Sequence, residues 1–415
     1  MTFIHAAGEH DASNGITVSH PVDSALSGTA DARRVEAALR PLLAHVSEES
    51  RLDVSGPIAS RPWSRVFQGK GPAYPSPVAI KLCLDPASSQ ASPELARSYF
   101  RALSSVHESM QGHRHFASAR PYALFEDLGL VVAEWVNGPT LSRVITASPP
   151  MDARLAVRKA GAWLARLHRS TNHSYRPLHT DEMLAQLDRA IAESQHAPSA
   201  GIFGRALDAL HQTAPSVSGT PVVWTLVHGD FKPDNMLVTG GKLTGIDMDL
   251  KYPGPGALDV AQFLNHLTLL FWTPRGVRRL SHSSQVSASF CRGYEQDGGL
   301  PLGYPQLAWV RLHNAVRLLL KHRDWSSGPV GWMTGWSLRQ LISHSTDILE
   351  RVNAAGTDLP DAPPRPEVPD DHGSGRIGCL ENVLTFLAED EDTWLSPDAD
   401  RLLFEALRPQ AERKD

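Results

Sequence analysis

Cysteine is scarce: there are three in 415 residues, Cys83, Cys291 and Cys379, far apart in the chain. That spacing excludes a disulfide framework and a cysteine metal cluster, and it fits a reducing compartment, so a cytoplasmic protein is expected. Long apolar runs are lacking as well. Segments such as Leu267–Trp272 fall far short of the roughly 18 residues needed to span a bilayer and read as pieces of a buried helix, so no membrane partner is expected. The opening Met-Thr-Phe-Ile-His-Ala-Ala-Gly-Glu-His has no basic segment followed by an apolar core, and no secretory signal is expected. Basic charge is not in excess. Lys and Arg number 40 against 45 Asp and Glu, a net charge of −5, which gives no global signature for nucleic acid. No internal repeat is visible. What remains, 41% apolar and 20% charged, is ordinary for a soluble globular protein, and the length suffices for two lobes and an appendix.

The densest pattern lies at 226–249. It reads Leu-Val-His-Gly-Asp-Phe-Lys-Pro-Asp-Asn-Met-Leu-Val, turns at Gly240-Gly241, and returns through Leu-Thr-Gly-Ile-Asp-Met-Asp. His228-Gly229-Asp230, Asn235 after a short polar loop, and Asp247 at the end of the returning strand match His-x-Asp-x-x-x-x-Asn followed by a metal-binding Asp. Phosphoryl transfer needs a carboxylate near the acceptor hydroxyl and two metal ligands near the phosphates. Asp230 can take the hydroxyl proton. Asn235 offers Mg²⁺ a neutral oxygen and Asp247 a charged one. Lys232 can reach charge developing on the transferred group, and His228 reads as an anchor for the loop.

On His228-Gly229-Asp230-Phe231-Lys232-Pro233-Asp234-Asn235 and Ile246-Asp247-Met248-Asp249, the chain resembles the aminoglycoside phosphotransferase and choline kinase group over about residues 55–350. The resemblance implies an α+β, two-lobed protein-kinase-like fold with a small antiparallel-sheet N-lobe and a mainly helical C-lobe. It implies ATP, or another nucleoside triphosphate, with Mg²⁺ as cofactors, and a small-molecule hydroxyl acceptor. Aminoglycosides, macrolides, choline, amino acids and sugars all use this scaffold. A nucleotide-binding regulatory module without turnover is the rival reading.

The nucleotide-facing residues lie upstream. Val54–Val66 reads as strand-loop-strand, without Gly-x-Gly-x-x-Gly. Ser60 and Ser64 stand there as phosphate contacts or as residues of an ordinary hairpin. Lys81, the one cation in the apolar strand Pro77–Leu82, corresponds to the lysine that pairs the α- and β-phosphates. Ser92-Pro93-Glu94 opens a helix with an N-cap and a first-position proline. Glu94 is then either the partner of Lys81 or an acid that favours the helix dipole. Chain order places backbone groups of Glu134 to Val136 at the adenine. Asp259 begins an apolar helix and can cap it; in the family an Asp here steadies the catalytic loop. About a dozen residues separate Asp247 from Asp259, with no Ala-Pro-Glu between them, so no platform for a peptide substrate is expected. Asp249 could add acidity to an acceptor pocket.

The expected layout is an extension at 1–50, with a mobile tail over 1–30 and one helix from Ala32 to Val46; an N-lobe at 51–137; a C-lobe at 138–352; a Pro/Asp-rich linker at 353–375; and a helical appendix at 376–415, with helices at Ile377–Ala388 and Ser396–Leu407. Helical patterns also run Leu155–His168, through 181–213, Leu307–His322 and Trp336–Val352. Trp309, Trp325, Trp332 and Trp336 read as core or as stacking platforms. Arg311, Arg317, Lys321 and Arg323 read as a solvated face. The catalytic set is complete before the linker, so a chain ending near Val352 is expected to fold and to keep its nucleotide chemistry. Soluble yield, melting temperature and Mg²⁺-ATP binding of the shortened and full chains check this. Insolubility or a much lower melting temperature makes the appendix an integral part of the fold.

Overall fold

The computed structural model describes residues 16–18, 26–27, 30–44, 52–72, 74, 76–170, 173–193, 201–248, 253–271, 283–300, 302–323 and 329–355. Asp249, Trp325 and the helices expected over 377–388 and 396–407 lie outside them. The described residues divide into two compact units. The first draws on Met1–Val144, Trp163–Arg176 and Val222–Phe263, the second on Ile145–Ala162, Pro177–Pro221 and Leu264–Asp415.

Before the first long helix of the second unit the elements are β1 (Ile16–Val18), α1 (Ala32–Ala44), β2 (Asp53–Arg61), β3 (Ser64–Lys70), β4 (Val78–Cys83), α2 (Pro93–Met110), β5 (Phe116–Ser118), β6 (Pro121–Phe125), β7 (Leu130–Glu134) and α3 (Leu141–Ala147). There follow α4 (Pro150–Arg169), β8 (Ser174–Pro177), α5 (Thr180–Glu193), α6 (Ile202–Val217), β9 (Pro221–Leu226), β10 (Met236–Thr239), β11 (Lys242–Gly245), β12 (Pro253–Pro255), α7 (Ala257–Phe271), α8 (Ser283–Gln296), α9 (Tyr304–Arg323) and α10 (Pro329–Ala355).

The first unit is built on a sheet of order β1-β6-β7-β4-β3-β2. All its pairings are antiparallel except β1 beside β6. Side chains alternate across it. Val78, Ile80 and Leu82 of β4 join Val35, Ala38 and Leu39 of α1 and Phe67 of β3 in one apolar cluster. Cys83, Leu124 and Val131 on the opposite face pack with Ala96 and Phe100 of α2. Ser92 caps α2 through its Oγ, which accepts from Leu95 N, and Pro93 follows at the first position.

The residues before α1 depart from the expected tail. Ile16–Val18 adds a parallel edge strand, Ser27 bridges Gln90, and Leu26 and Ala30 are buried against the sheet. The apolar content of this stretch, low and without period, is enough for an edge but gives no readable pattern.

The second unit is helical. Trp309 is buried, its Nε1 donating to Leu210 O at 3.1 Å. α4 and α8 cross with backbones in contact: a Cβ on Gly161 would lie 2.1 Å from Phe290 O, and one on Gly293 would lie 1.9 Å from Arg158 O. Two sequence readings, of a surface residue and of a linker, turn out otherwise. Arg311 is buried, donating to Asn265 Oδ1, and α10 continues to Ala355, past the expected start of the linker. Among the described residues no helix is long and apolar enough to cross a membrane.

Two histidines of this unit titrate low. Burial, then Arg317, pushes His313 down to about 4, and burial, then Arg311 and Arg351, pushes His344 down to about 3. His313 donates Nε2 to Met183 O at 3.2 Å and stacks on Trp309. The unfolded chain takes up these protons near the ordinary histidine value and the fold only well below it. The unfolded state therefore holds more protons in between, and stability falls as pH drops. From pH 7 to 4, His313 should account for on the order of 3 kcal/mol of lost stability. Urea unfolding across that range should show a flatter slope for His313→Gln than for the wild type. Equal slopes would mean that His313 is protonated in the fold.

Candidate active site

Three local devices assemble the site inside the first unit. The first is strand alternation. Lys81 stands opposite Val131 in the β4–β7 ladder. Its neighbours Ile80 and Leu82 point into the α1 side of the sheet, so Lys81 faces α2. Its Nζ lies 3.9 Å from the Tyr99 ring centroid and donates to Asp247 Oδ1 at 2.6 Å.

The second device is the β10–β11 hairpin. Gly240 and Gly241 both have positive φ, 54° and 79°, as two-residue hairpin turns of type I′ require. The register Met236↔Gly245 returns the chain beside Asn235, whose carbonyl accepts from Ile246 N at 3.0 Å. Asn235 and Asp247 therefore leave the same end of the hairpin. Asp247 sits at φ 54°, a left-handed conformation that Asp tolerates better than most residues. Gly245 is needed beneath them: a Cβ there would lie 2.4 Å from the Trp163 ring. Trp163 in turn stacks on Phe231 of the loop at 5.7 Å and donates Nε1 to Ala117 O.

The third device is Asp259, fully buried in the first turn of α7. Its Oδ2 accepts from His228 N at 2.5 Å and its Oδ1 from Gly229 N at 3.0 Å. His168 Nε2 adds a third bond, to Oδ2, at 3.2 Å. The His168 carbonyl accepts from Thr225 Oγ1 at 2.7 Å, which ties the end of α4 to β9. Asp259 steadies the loop rather than capping its own helix.

The loop presents Asp230. Its Oδ2 accepts from Lys232 Nζ at 2.6 Å and from Asn235 Nδ2 at 2.9 Å, and its Oδ1 accepts from Gln262 Nε2 at 3.0 Å. Asn235 Nδ2 also reaches Asp230 O at 2.8 Å, which leaves the Asn235 carboxamide oxygen on the other side. Asp234 is bound by Ser142 Oγ. His228 is fully buried; its Nδ1 accepts from Asp230 N at 3.3 Å, while Nε2 has no hydrogen-bond partner among the described residues. Burial pushes this imidazole below the ordinary value, against the nearby carboxylates, led by Asp259.

Lys81 beside it holds the Asp247 carboxyl down at about 2, although burial opposes this. Burial also works against the Lys81 ammonium, but Tyr99, then Asp247, outweigh it and raise the group above its ordinary value. Both charges persist across the pH range of a folded protein. Even so, 49% of the Asp247 side chain is exposed, so a ligand can reach it.

Of the residues read from sequence, the structure brings Lys81, Asp230, Lys232, Asn235 and Asp247 together in one unit. Glu94 is not brought to Lys81. It is exposed in the first turn of α2 and bears on Arg97, which leaves the dipole reading. Ser64 is buried at the start of β3, opposite Arg61 and Cys83, and Ser60 is exposed on β2. Glu134 ends β7, where its Oε2 accepts from Arg120 N and its own N donates to Arg120 O. Trp135 N donates to Pro77 O, and Val136 is half-buried just beyond. Sequence reasoning missed Gln262 and Tyr99. Gln262 follows Asp259 by three residues, one helical turn, and that spacing was a usable signal. Tyr99 stands between Leu95 and Leu103 along α2, and an aromatic at helical spacing among apolar residues gives no signal of contact with a cation.

The similarity read in residues 228–249 is borne out. The model of the phosphotransferase enzyme family (APH) matches residues 113–309, a span holding Asp230, Asn235, Asp247 and Asp259. No curated protein matches the chain in sequence. Among solved structures, a glucosamine kinase in complex with glucosamine, ADP and inorganic phosphate is 15% identical, with TM-score 0.50 over 77% of this chain and 87% of that one. An amicoumacin kinase in complex with AMP-PNP, Ca²⁺ and Ami is 14% identical, with TM-score 0.50 over 77% of this chain and 99% of that one. These likenesses speak for the fold, which is protein-kinase-like.

Asp259→Ala would leave the amides of His228 and Gly229 without acceptors and His168 without its carboxylate. An unsatisfied buried donor costs about 1–3 kcal/mol, so a loss of roughly 3 kcal/mol is expected, read as a lower urea midpoint with unchanged slope. A midpoint equal to that of the wild type would show that the loop holds its place without Asp259.

Proposed function

We propose that this protein-kinase-like chain transfers the terminal phosphoryl group of ATP, or of another nucleoside triphosphate, to a hydroxyl of a small molecule, with Mg²⁺. One observation carries the reading. The Asp230 carboxylate has about four acceptor positions, and Lys232, Asn235 and Gln262 occupy three. The position left, on Oδ1, suits an incoming O–H donor. Asp230 thus orients the acceptor hydroxyl and receives its proton as the phosphoryl group moves.

The remaining residues fit the cofactors. Asp247 contributes a reachable carboxylate and Asn235 a carboxamide oxygen, a sparse all-oxygen pair. Mg²⁺ takes such a pair, since it keeps waters and phosphate oxygens in the rest of its shell. When bound, Mg²⁺ supplies positive charge to the phosphate oxygens. Lys81 meets the α- and β-phosphates on exchanging Asp247 for them, and Lys232, beside Asp230, meets charge on the transferred group. Ser64, at the end of the β2–β3 hairpin, and the segment Glu134–Val136 complete the nucleotide side. The amides of Glu134 and Trp135 are engaged, which leaves the Val136 amide as the donor of this segment for adenine. The acceptor is a small molecule because so few residues follow Asp247 before Asp259, and none of them forms an Ala-Pro-Glu segment.

A nucleotide-binding module without turnover is the second reading, favoured by the glycine-free hairpin end Arg61-Pro62-Trp63-Ser64. Slow Mg²⁺-dependent ATP hydrolysis separates the two, being present for the transferase and absent for the module. A thermal-shift screen of candidate acceptors with an ATP analogue then finds the substrate. Asp230→Ala should cut turnover by about 100- to 10,000-fold while nucleotide affinity stays nearly unchanged; near-wild-type turnover would sink the assignment. Asp247→Asn should weaken Mg²⁺-dependent nucleotide binding by about tenfold, ~1.4 kcal/mol. Unchanged affinity and unchanged magnesium dependence would transfer that role elsewhere.

A further inference from the structure

In protein kinases the phosphate-binding lysine is held by a glutamate from the helix that follows its strand. That helix here is α2, and it carries two carboxylates, Glu94 and Glu108, both exposed. The residue of α2 that meets Lys81 is Tyr99, with the ammonium 3.9 Å from its ring centroid. One helical turn to either side on the same face stand Leu95, Ala96 and Leu103, none of which can pair with a cation. Tyr99 is itself held, packed against the cluster of Cys83, Ala96, Phe100, Leu124 and Val131.

We infer that Tyr99 is the positioning residue of Lys81, an aromatic seat standing where protein kinases use an acid. This deepens the nucleotide reading above, and its ligand arm rests on that reading. The difference has a physical consequence. A glutamate would orient the ammonium and neutralise it at once. A ring face orients it through its quadrupole and carries no net charge. Among the described residues Asp247 is then the carboxylate that balances Lys81. Once Asp247 turns to another cation, Lys81 remains in place with its charge uncompensated and available to an anion. The seat also explains why α2 needs no acid on this face.

The test has a structural arm and a ligand arm. Lysines of the full chain are reductively ¹³C-methylated and the Lys81 resonance is assigned with Lys81→Arg. A ring seat shifts that resonance upfield in the wild type and in Tyr99→Phe, and the shift disappears in Tyr99→Leu. If Tyr99→Leu does not fold, Tyr99→Met, which keeps bulk without a ring, takes its place. A resonance that stays put when the ring is removed overturns the proposal. In the second arm, AMP-PNP with Mg²⁺ and adenosine are titrated separately. Loss of the seat should weaken AMP-PNP by about tenfold and leave adenosine unchanged, while Tyr99→Phe keeps both within about twofold. Equal weakening of the two ligands marks general damage and overturns it. A wild type that binds no AMP-PNP refutes the nucleotide reading, and the resonance arm still decides the role of Tyr99.

Discussion

The loop from His228 to Asn235 depends on one buried carboxylate. Asp259 is fully buried, and among the described residues its hydrogen bonds come from two backbone amides and a histidine, none from Lys or Arg. A carboxylate without such compensation is costly to bury, and this one is kept by two backbone amides and an imidazole. The dependence is mutual. His228 and Gly229 begin the loop, and their amides point inward only because an acceptor waits there. The same group draws in His168 at the end of α4, whose carbonyl secures Thr225 on β9. A single side chain thus fixes the strand entering the loop, the loop's first turn and the helix after it. The aromatic stack of Trp163, Phe231 and Phe263 supports the loop from below, where a Cβ on Gly245 would break it.

Above that foundation the charges close on one another. Lys81 meets Asp247, and Lys232 meets Asp230. Each pair joins a group suited to phosphate with one suited to metal or hydroxyl, so the free protein neutralises its own site. Under the proposed function this sets an order of exchange. Phosphate alone must compete with Asp247 for Lys81. A divalent cation gives Asp247 another partner and releases Lys81 to the nucleotide. Metal and nucleotide then favour each other's binding by the same factor. The Tyr99 ring matters at this step, because it retains Lys81 after Asp247 has let go.

How much of this was legible follows from the range of each signal. The hairpin was readable because Gly240-Gly241 admits few alternatives, and Asn235 and Asp247 on either side inherit their meeting from its register. Lys81 was readable because a lone cation in an apolar strand stands out. Helix α2 carried a cap in Ser92-Pro93 and α4 a helical period from Leu155 to His168. What failed was long-range or mixed in character. Glu94 and Tyr99 are five residues apart on one helix, and only packing against β4 decides which of them meets Lys81. Acidity left Glu94 open between the two roles, since an exposed first-turn acid satisfies the helix dipole without any partner. Arg311 read as surface because its buried amide partner Asn265 is 46 residues away. The strand at 16–18 pairs with residues more than a hundred positions later, beyond any local pattern.

The geometry of Asp230 constrains the chemistry more tightly than the fold does. Protein-kinase-like folds serve many acceptors. A carboxylate with one open position does not serve every reacting group. Lys232 and Asn235 approach Oδ2, so that oxygen is committed to the loop. Gln262 holds Oδ1 from the α7 side and sets the plane of the carboxylate. The donor that completes the set must come to Oδ1 from the side opposite Gln262, and it must bring a hydrogen. Under the proposed function a hydroxyl does so, with a lone pair left to attack phosphorus. On that reading the direction of approach is set by the three hydrogen bonds that Lys232, Asn235 and Gln262 make to Asp230, whichever small molecule presents the hydroxyl.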